Sequence, residues 1–236
     1  GGVDRAIVGG HTAGFNDQTF AISALGNFQK FKPNDPEMVA MVDSVSSLLA
    51  WKLSMNHRDP NGQTTLVSDS DAGTSKYKPG QTATALVVGG HGDIGSTSCP
   101  GKFLEAQLPA IRAAAGAKMG ASMINPAAAP AKWGEAEPVR IAAVTNAPLQ
   151  WNLSVRSQCG EVVRSMSGGQ GELGALSIDW DKKNDAGQPV PPGTYTVTMN
   201  STGNGEVLYP WVGQARVLAT NESPPDPCAP PANFTL

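Results

Sequence analysis

Residues Val87–Leu104 read VVGGHGDIGSTSCPGKFL. The stretch opens on apolar residues, breaks at Gly89-Gly90, and then presents His91, Asp93, Thr97 and Cys99 ahead of a Pro-Gly pair. A neutral imidazole and a thiolate are both ordinary zinc ligands. With His91 at the end of a strand and Cys99 on the loop that follows, both can approach one ion. A hydrolytic zinc normally takes three protein ligands and keeps one position open. Two donors are therefore an incomplete set, and the rest of the chain has to be searched for a third.

The flanks give this stretch its setting. Thr84–Gly90 reads as a short apolar strand delivering His91, after a polar loop over 63–82. Beyond Pro100-Gly101, the residues Leu104, Leu108 and Ile111 recur at helical spacing, with Pro109 as a kink or restart. Asp35-Pro36-Glu37 is a helix start, with a carboxylate cap, Pro at the first helical position and an acid in the first turn. Met38, Met41, Val42, Val45, Leu48, Leu49 and Leu53 follow as a core-facing stripe. Thr19–Phe28 (TFAISALGNF) reads as a buried strand, preceded by a Gly-rich loop that holds His11 and Asn16. His57, in a turn-rich connection, reads as a surface or helix-end residue.

From about 116 to 136 alanine, proline and glycine dominate and periodicity is lost, which reads as a semi-stiff linker. A different texture follows over 137–219, where VRIAAVT, WNLSVRS, EVVRSMS, ALSIDW and GTYTVTM are short strands at regular spacing. Trp151/Leu153/Val155 and Tyr195/Val197/Met199 alternate as half-buried strands do. Gly, Asn, Asp and Pro connect them, a pattern that predicts a small β-sandwich with Trp151 and Trp180 in its core. Residues 220–236 have the composition of a Pro-rich tail.

Composition narrows the function classes. The chain has 236 residues, 27 Gly, 19 Pro and a net charge of −3, with only 16% charged residues. No Lys/Arg cluster marks a nucleic-acid or anionic-membrane surface, so neither partner is expected. No apolar run approaches the length of a membrane span. The sequence starts at Gly1-Gly2-Val3 in mid-pattern and reads as a processed or truncated product. Its three cysteines are Cys99, Cys159 and Cys228. If Cys99 is a ligand, Cys159 and Cys228 become candidates for one disulfide, which would tie down a tail too polar to hold itself. Three free thiols in a reducing compartment are the alternative.

The residues also carry a likeness. GGVDRAIVGGHTAGFN, TFAISALGNF, LLAWKL with DPNG, and GGHGDIGSTSCPGKFLEAQLPAIR together resemble the type 2 N-acetylmuramoyl-L-alanine amidase, or peptidoglycan recognition protein, domain of secreted actinobacterial members. The specific element is GH-x-D-x3-T-x-CPG. The resemblance implies an α/β amidase-type domain over residues 1–115, a mixed sheet with flanking helices that is N-terminally incomplete. It implies zinc ligands at His91 and Cys99, and Thr97 as a donor to the oxyanion of the tetrahedral intermediate. It places His11 and Asn16 in a groove for the peptidoglycan stem peptide. Asp93 either hydrogen-bonds the zinc histidine or caps its own loop. The residue after the zinc histidine is commonly Arg in that family and is Gly92 here. The first zinc histidine and the active-site tyrosine of the family lie upstream of the matching GGVDR, so the missing N-terminal part of the same domain is an expected partner.

Over about 138–218, W-x-L-x-V-x5-G-x-V-V-R and DWD with DAGQPVPPGTYTV resemble the Ig-like repeat of flagellar hook-capping proteins. The expectation is a bacterial cell-wall or secreted protein that contacts peptidoglycan or a muropeptide. It is expected to hydrolyse the muramic acid–L-Ala amide with Zn2+ once the ligand set is complete. The alternative is a non-catalytic peptidoglycan-binding scaffold.

Overall fold

A computed structural model describes residues 7–225 and Cys228 of the chain. These divide into two compact units, the first ending at Gly120 and the second beginning at Ala121, with Ser54–His57 belonging to the second.

The first unit is built on helix α1 (Pro36–Met55), whose start coincides with the Asp35-Pro36 signal. The Asp35 carboxylate accepts the Lys32 N–H at 2.7 Å, while its backbone carbonyl accepts from Met38 and Val39. By length and composition alone α1 could cross a membrane, a test that core helices also pass. Its Met38, Leu49 and Leu53 pack with Phe28, Leu104, Leu108, Ile111 and Ala115 in one apolar cluster. The polar stretch after α1 forms an antiparallel pair, β1 (Gln63–Val67) and β2 (Thr82–Leu86). Only the segment between them is the expected loop. After β2 come three helices: α2 (His91–Ile94), α3 (Lys102–Glu105) and α4 (Leu108–Lys118). The break falls before Pro109, which lies in the first turn of α4, where a missing N–H costs nothing.

Thr19–Phe28 is not a strand here. The period-two pattern persists in the packing. Ile22 and Ala24 rest against the apolar cluster, whereas Leu25 is 96% exposed. A sheet exists only by pairing backbones, and β1 and β2 pair with each other alone. A two-stranded ribbon is thus the sheet of the described part of this unit. The mixed amidase-type sheet is an expectation that the described residues do not display.

The second unit is all-β. It comprises β3 (Met123–Ala128), β4 (Ala131–Lys132), β5 (Val139–Thr145), β6 (Leu149–Arg156), β7 (Val162–Gln170), β8 (Gly174–Trp180), β9 (Gly193–Gly203), β10 (Glu206–Val207) and β11 (Trp211–Leu218). One sheet runs β4-β11-β9-β6-β7, with β10 on β9, and the other runs β3-β5-β8. Their inward residues share one core, in which Trp180 stacks edge-on against Tyr195 at 5.2 Å. Trp151 packs partly buried against the same core.

The expected linker is therefore corrected. β3 and β4 occupy 123–132 and belong to the sandwich. Asn125 adopts φ +48° ahead of Pro126, and the pairing of β3 with β5 shifts register between Ile124 and Ala127. A bulged edge strand tolerates the proline that made this stretch read as a spacer. His57 lies in the turn just after α1, a helix-end position, but it is not a surface residue, being buried with Nδ1 3.1 Å from the Met123 carbonyl oxygen. Cys159 and Cys228 form a disulfide with Cα atoms 5.4 Å apart. The rest of the tail beyond Pro225 lies outside the described residues.

Candidate functional site

The loop around α2 is closed by backbone contacts. Gly92 donates its N–H to the Cys99 carbonyl at 2.9 Å, and Gly95 donates to the His91 carbonyl at 2.9 Å. A Cβ at Gly92 would lie 3.1 Å from both the Cys99 and Thr97 carbonyl oxygens, so this position suits glycine. His91 and Cys99 are thereby held at the two ends of one short, tight loop.

The side chains differ in their state. His91 Nε2 is buried and has no hydrogen-bond partner among the described residues. A buried polar atom left without any partner normally costs about 1–3 kcal/mol. Cys99 is a free, exposed thiol. Thr97 is half-buried, and its Oγ1 accepts the Cys99 N–H at 3.2 Å, which shapes the loop. Asp93 Oδ2 accepts the Gly90 N–H at 3.0 Å. That bond caps α2 and is the loop-capping alternative for Asp93.

The donors can now be weighed against a zinc ion. An orphaned imidazole nitrogen and a free thiol are the right chemistry for two ligands. Among the described residues no group of three or more His, Cys, Asp or Glu is arranged to hold a metal. His91 and Cys99 are thus two donor groups of the types that zinc takes, fewer than the three of a hydrolytic centre.

A second loop is built around Asn16. Its Oδ1 accepts the backbone N–H groups of His11 and Thr12, each at 2.8 Å, and His11 Nδ1 lies 3.0 Å from Thr12 Oγ1. The Asn16 carbonyl oxygen is therefore committed to folding its own loop. The structure ties this loop to the His91 loop through residues 68–77. Asp69 donates to the Gly14 carbonyl at 2.9 Å, Ser96 donates to the Thr74 carbonyl at 2.7 Å, and Ser75 bridges Gly95. Phe15 and Ile94 share a small core with Leu66 and Ala83. The composition of the 68–77 segment is that of a polar loop and does not signal that role.

A third feature lies beside the site. A Cβ on Gly90 would collide with the Glu105 carboxylate, so that carboxylate sits against the loop that starts α2. Burial pushes the Glu105 pKa up, the nearby Asp93 charge adds to this, and Arg112 opposes it. Arg112 also donates to the Val88 carbonyl at 2.9 Å, which clamps the bend between β2 and His91.

Residues 130–205 match the model of the FlgD Ig-like domain. An Ig-like all-β region is thereby shown, and the match includes β4. Several solved structures share part of the shape. Latent PorU from Porphyromonas gingivalis is 15% identical, with a TM-score of 0.31 over 39% of this chain and 9% of that one. CopC from Methylosinus trichosporium OB3b is 14% identical, with a TM-score of 0.31 over 42% and 94%. FlgD from P. aeruginosa is 23% identical, with a TM-score of 0.26 over 34% and 63%. No function is taken from likenesses of this size. No curated protein matches the chain.

Proposed function

We propose that this is a peptidoglycan-directed protein of the bacterial cell envelope. In this reading it carries two ligands, His91 and Cys99, of a zinc N-acetylmuramoyl-L-alanine amidase site. The observation that carries the reading is the pairing of an orphaned His91 Nε2 with a free Cys99 thiol across one glycine-closed loop. The sequence likeness around GH-x-D-x3-T-x-CPG supplies the substrate, the muramic acid–L-Ala amide. Thr97 and the His11–Asn16 loop, joined to the same loop cluster, line the peptide side of the site. Asn16 acts there through the shape of its loop.

Two donors among the described residues do not complete a hydrolytic centre, so these residues supply binding of the stem peptide and turnover waits on a third ligand. Hydrolysis requires a third protein ligand from outside the described residues. The FlgD-type Ig-like region is a spacer or binding module, with an apolar core closed around Trp180.

The test is incubation of purified sacculi with residues 1–236. Retention on sacculi without new L-Ala amino termini is expected, and Cys99→Ala is expected to leave that retention intact. Failure to bind sacculi or soluble muropeptides overturns the reading. Release of amino termini that survives both chelation and Cys99→Ala overturns the zinc assignment.

A further inference from the structure

Resting on that reading, we infer that Lys76 is the residue that selects for a free carboxylate on the bound peptide. Lys76 lies on the 68–77 segment, and its Nζ donates to the Gly92 carbonyl. Gly92 is the residue between His91 and the rest of α2, and its N–H is the one that closes onto Cys99. The ammonium therefore stands at the rim of the His91–Cys99 loop.

Three features make this more than a surface lysine. First, its backbone is fixed. Lys76 donates to the Ile94 carbonyl at 3.3 Å, Ser75 bridges Gly95, and Ser96 donates to the Thr74 carbonyl at 2.7 Å. The long side chain thus starts from an anchored point, which lowers the ordering cost of using it. Second, among the described residues no carboxylate pairs with it, although four other basic side chains do form ion pairs. An ammonium has three donors, and the Gly92 carbonyl takes one. Third, Gly92 has no side chain to cover the charge, and the close approach of the Cys99 and Thr97 carbonyls disfavours acquiring one.

The complementary ligand is an anion presented by a peptide whose amide end faces His91 and Cys99. A stem peptide with free carboxylates has that form, and the same peptide with its carboxylates amidated does not. Lys76 is a specificity residue and takes no part in bond breaking.

The probes are N-acetylmuramoyl-L-alanyl-D-glutamate and the same compound with both glutamyl carboxylates amidated, titrated into residues 1–236 by calorimetry. The free acid is expected to bind about three- to fivefold tighter, the range that an exposed ion pair supplies. The preference should shrink as salt is raised. Lys76→Gln should erase it, and Lys76→Arg should keep it. Thermal melts of both variants separate loss of recognition from loss of fold. Equal binding of the two probes by the unsubstituted chain, or a preference that survives Lys76→Gln, overturns the role of Lys76 while leaving the peptidoglycan reading standing. Binding of neither probe overturns both.

Discussion

Gly92 donates its N–H to the carbonyl of Cys99 across 2.9 Å, and this bond helps close the loop that carries the two candidate zinc ligands. Gly92→Ala would push a methyl group to 3.1 Å from two carbonyl oxygens. Both carbonyls have to give by a few tenths of an ångström to relieve that contact, and they are fixed in the loop backbone. A loss of about 1 kcal/mol in stability is expected, the usual size of a single destabilising change. Denaturant melts measure it, and an unchanged midpoint would show that the loop is not closed as described.

Asn16 makes a separate prediction. Its Oδ1 satisfies the two backbone amides of His11 and Thr12. Asn16→Ala leaves both without that acceptor, at a cost of about 1–3 kcal/mol. Asn16→Asp keeps the acceptor and should retain most of the stability. If Asn16→Asp melts as early as Asn16→Ala, the loop-building role is wrong.

Glu105 gives the first unit a pH dependence of definite sign. Its carboxyl is raised above the ordinary value by burial first and by Asp93 second. A raised folded pKa means that the protonated form is favoured on folding. The associated stability is present below the unfolded pKa and is lost as pH rises through the folded one. Glu105→Gln should therefore flatten the fall in stability between acid and neutral pH. Melting curves across that window check it, and a variant whose stability falls as steeply as before would contradict the assignment.

The disulfide between Cys159 and Cys228 spans 69 residues of sequence. Closing a loop of that size restricts the unfolded chain by about 4 kcal/mol in the entropic account. Cys159→Ala with Cys228→Ala should lower the stability of the second unit by up to that amount, and should leave Cys99 as the single thiol titratable in the native chain. Two further thiols titrating in the unsubstituted protein under non-reducing conditions would contradict the bond.

Legibility of the fold in the sequence varied for physical reasons. Trp151, Leu153 and Val155, like Tyr195, Val197 and Met199, point inward at alternate positions, and their sandwich was plain from pattern alone. β3 was hidden because Asn125 and Pro126 form a bulge that no strand propensity anticipates. β1 was hidden because only Leu66 of its five residues is buried, leaving a polar reading. Thr19–Phe28 shows the reverse case. Its alternation is real, but a strand needs a neighbour to pair with, and pairing is invisible to a single segment. At the site, His91 and Cys99 could be found by residue type. The bracing of their loop by Ser75 and Lys76 could not, because it arises from a backbone bridge and a lysine side chain reaching a carbonyl across distant segments.

The central claim is that His91 and Cys99 bind one metal ion together. Titration of residues 1–236 with Co2+, a spectroscopic stand-in for zinc, tests it most directly. A thiolate-to-cobalt charge-transfer band that is lost in Cys99→Ser and weakened in His91→Ala is the expected result. Absence of that band in the unsubstituted chain, or its persistence in Cys99→Ser, would contradict the shared site.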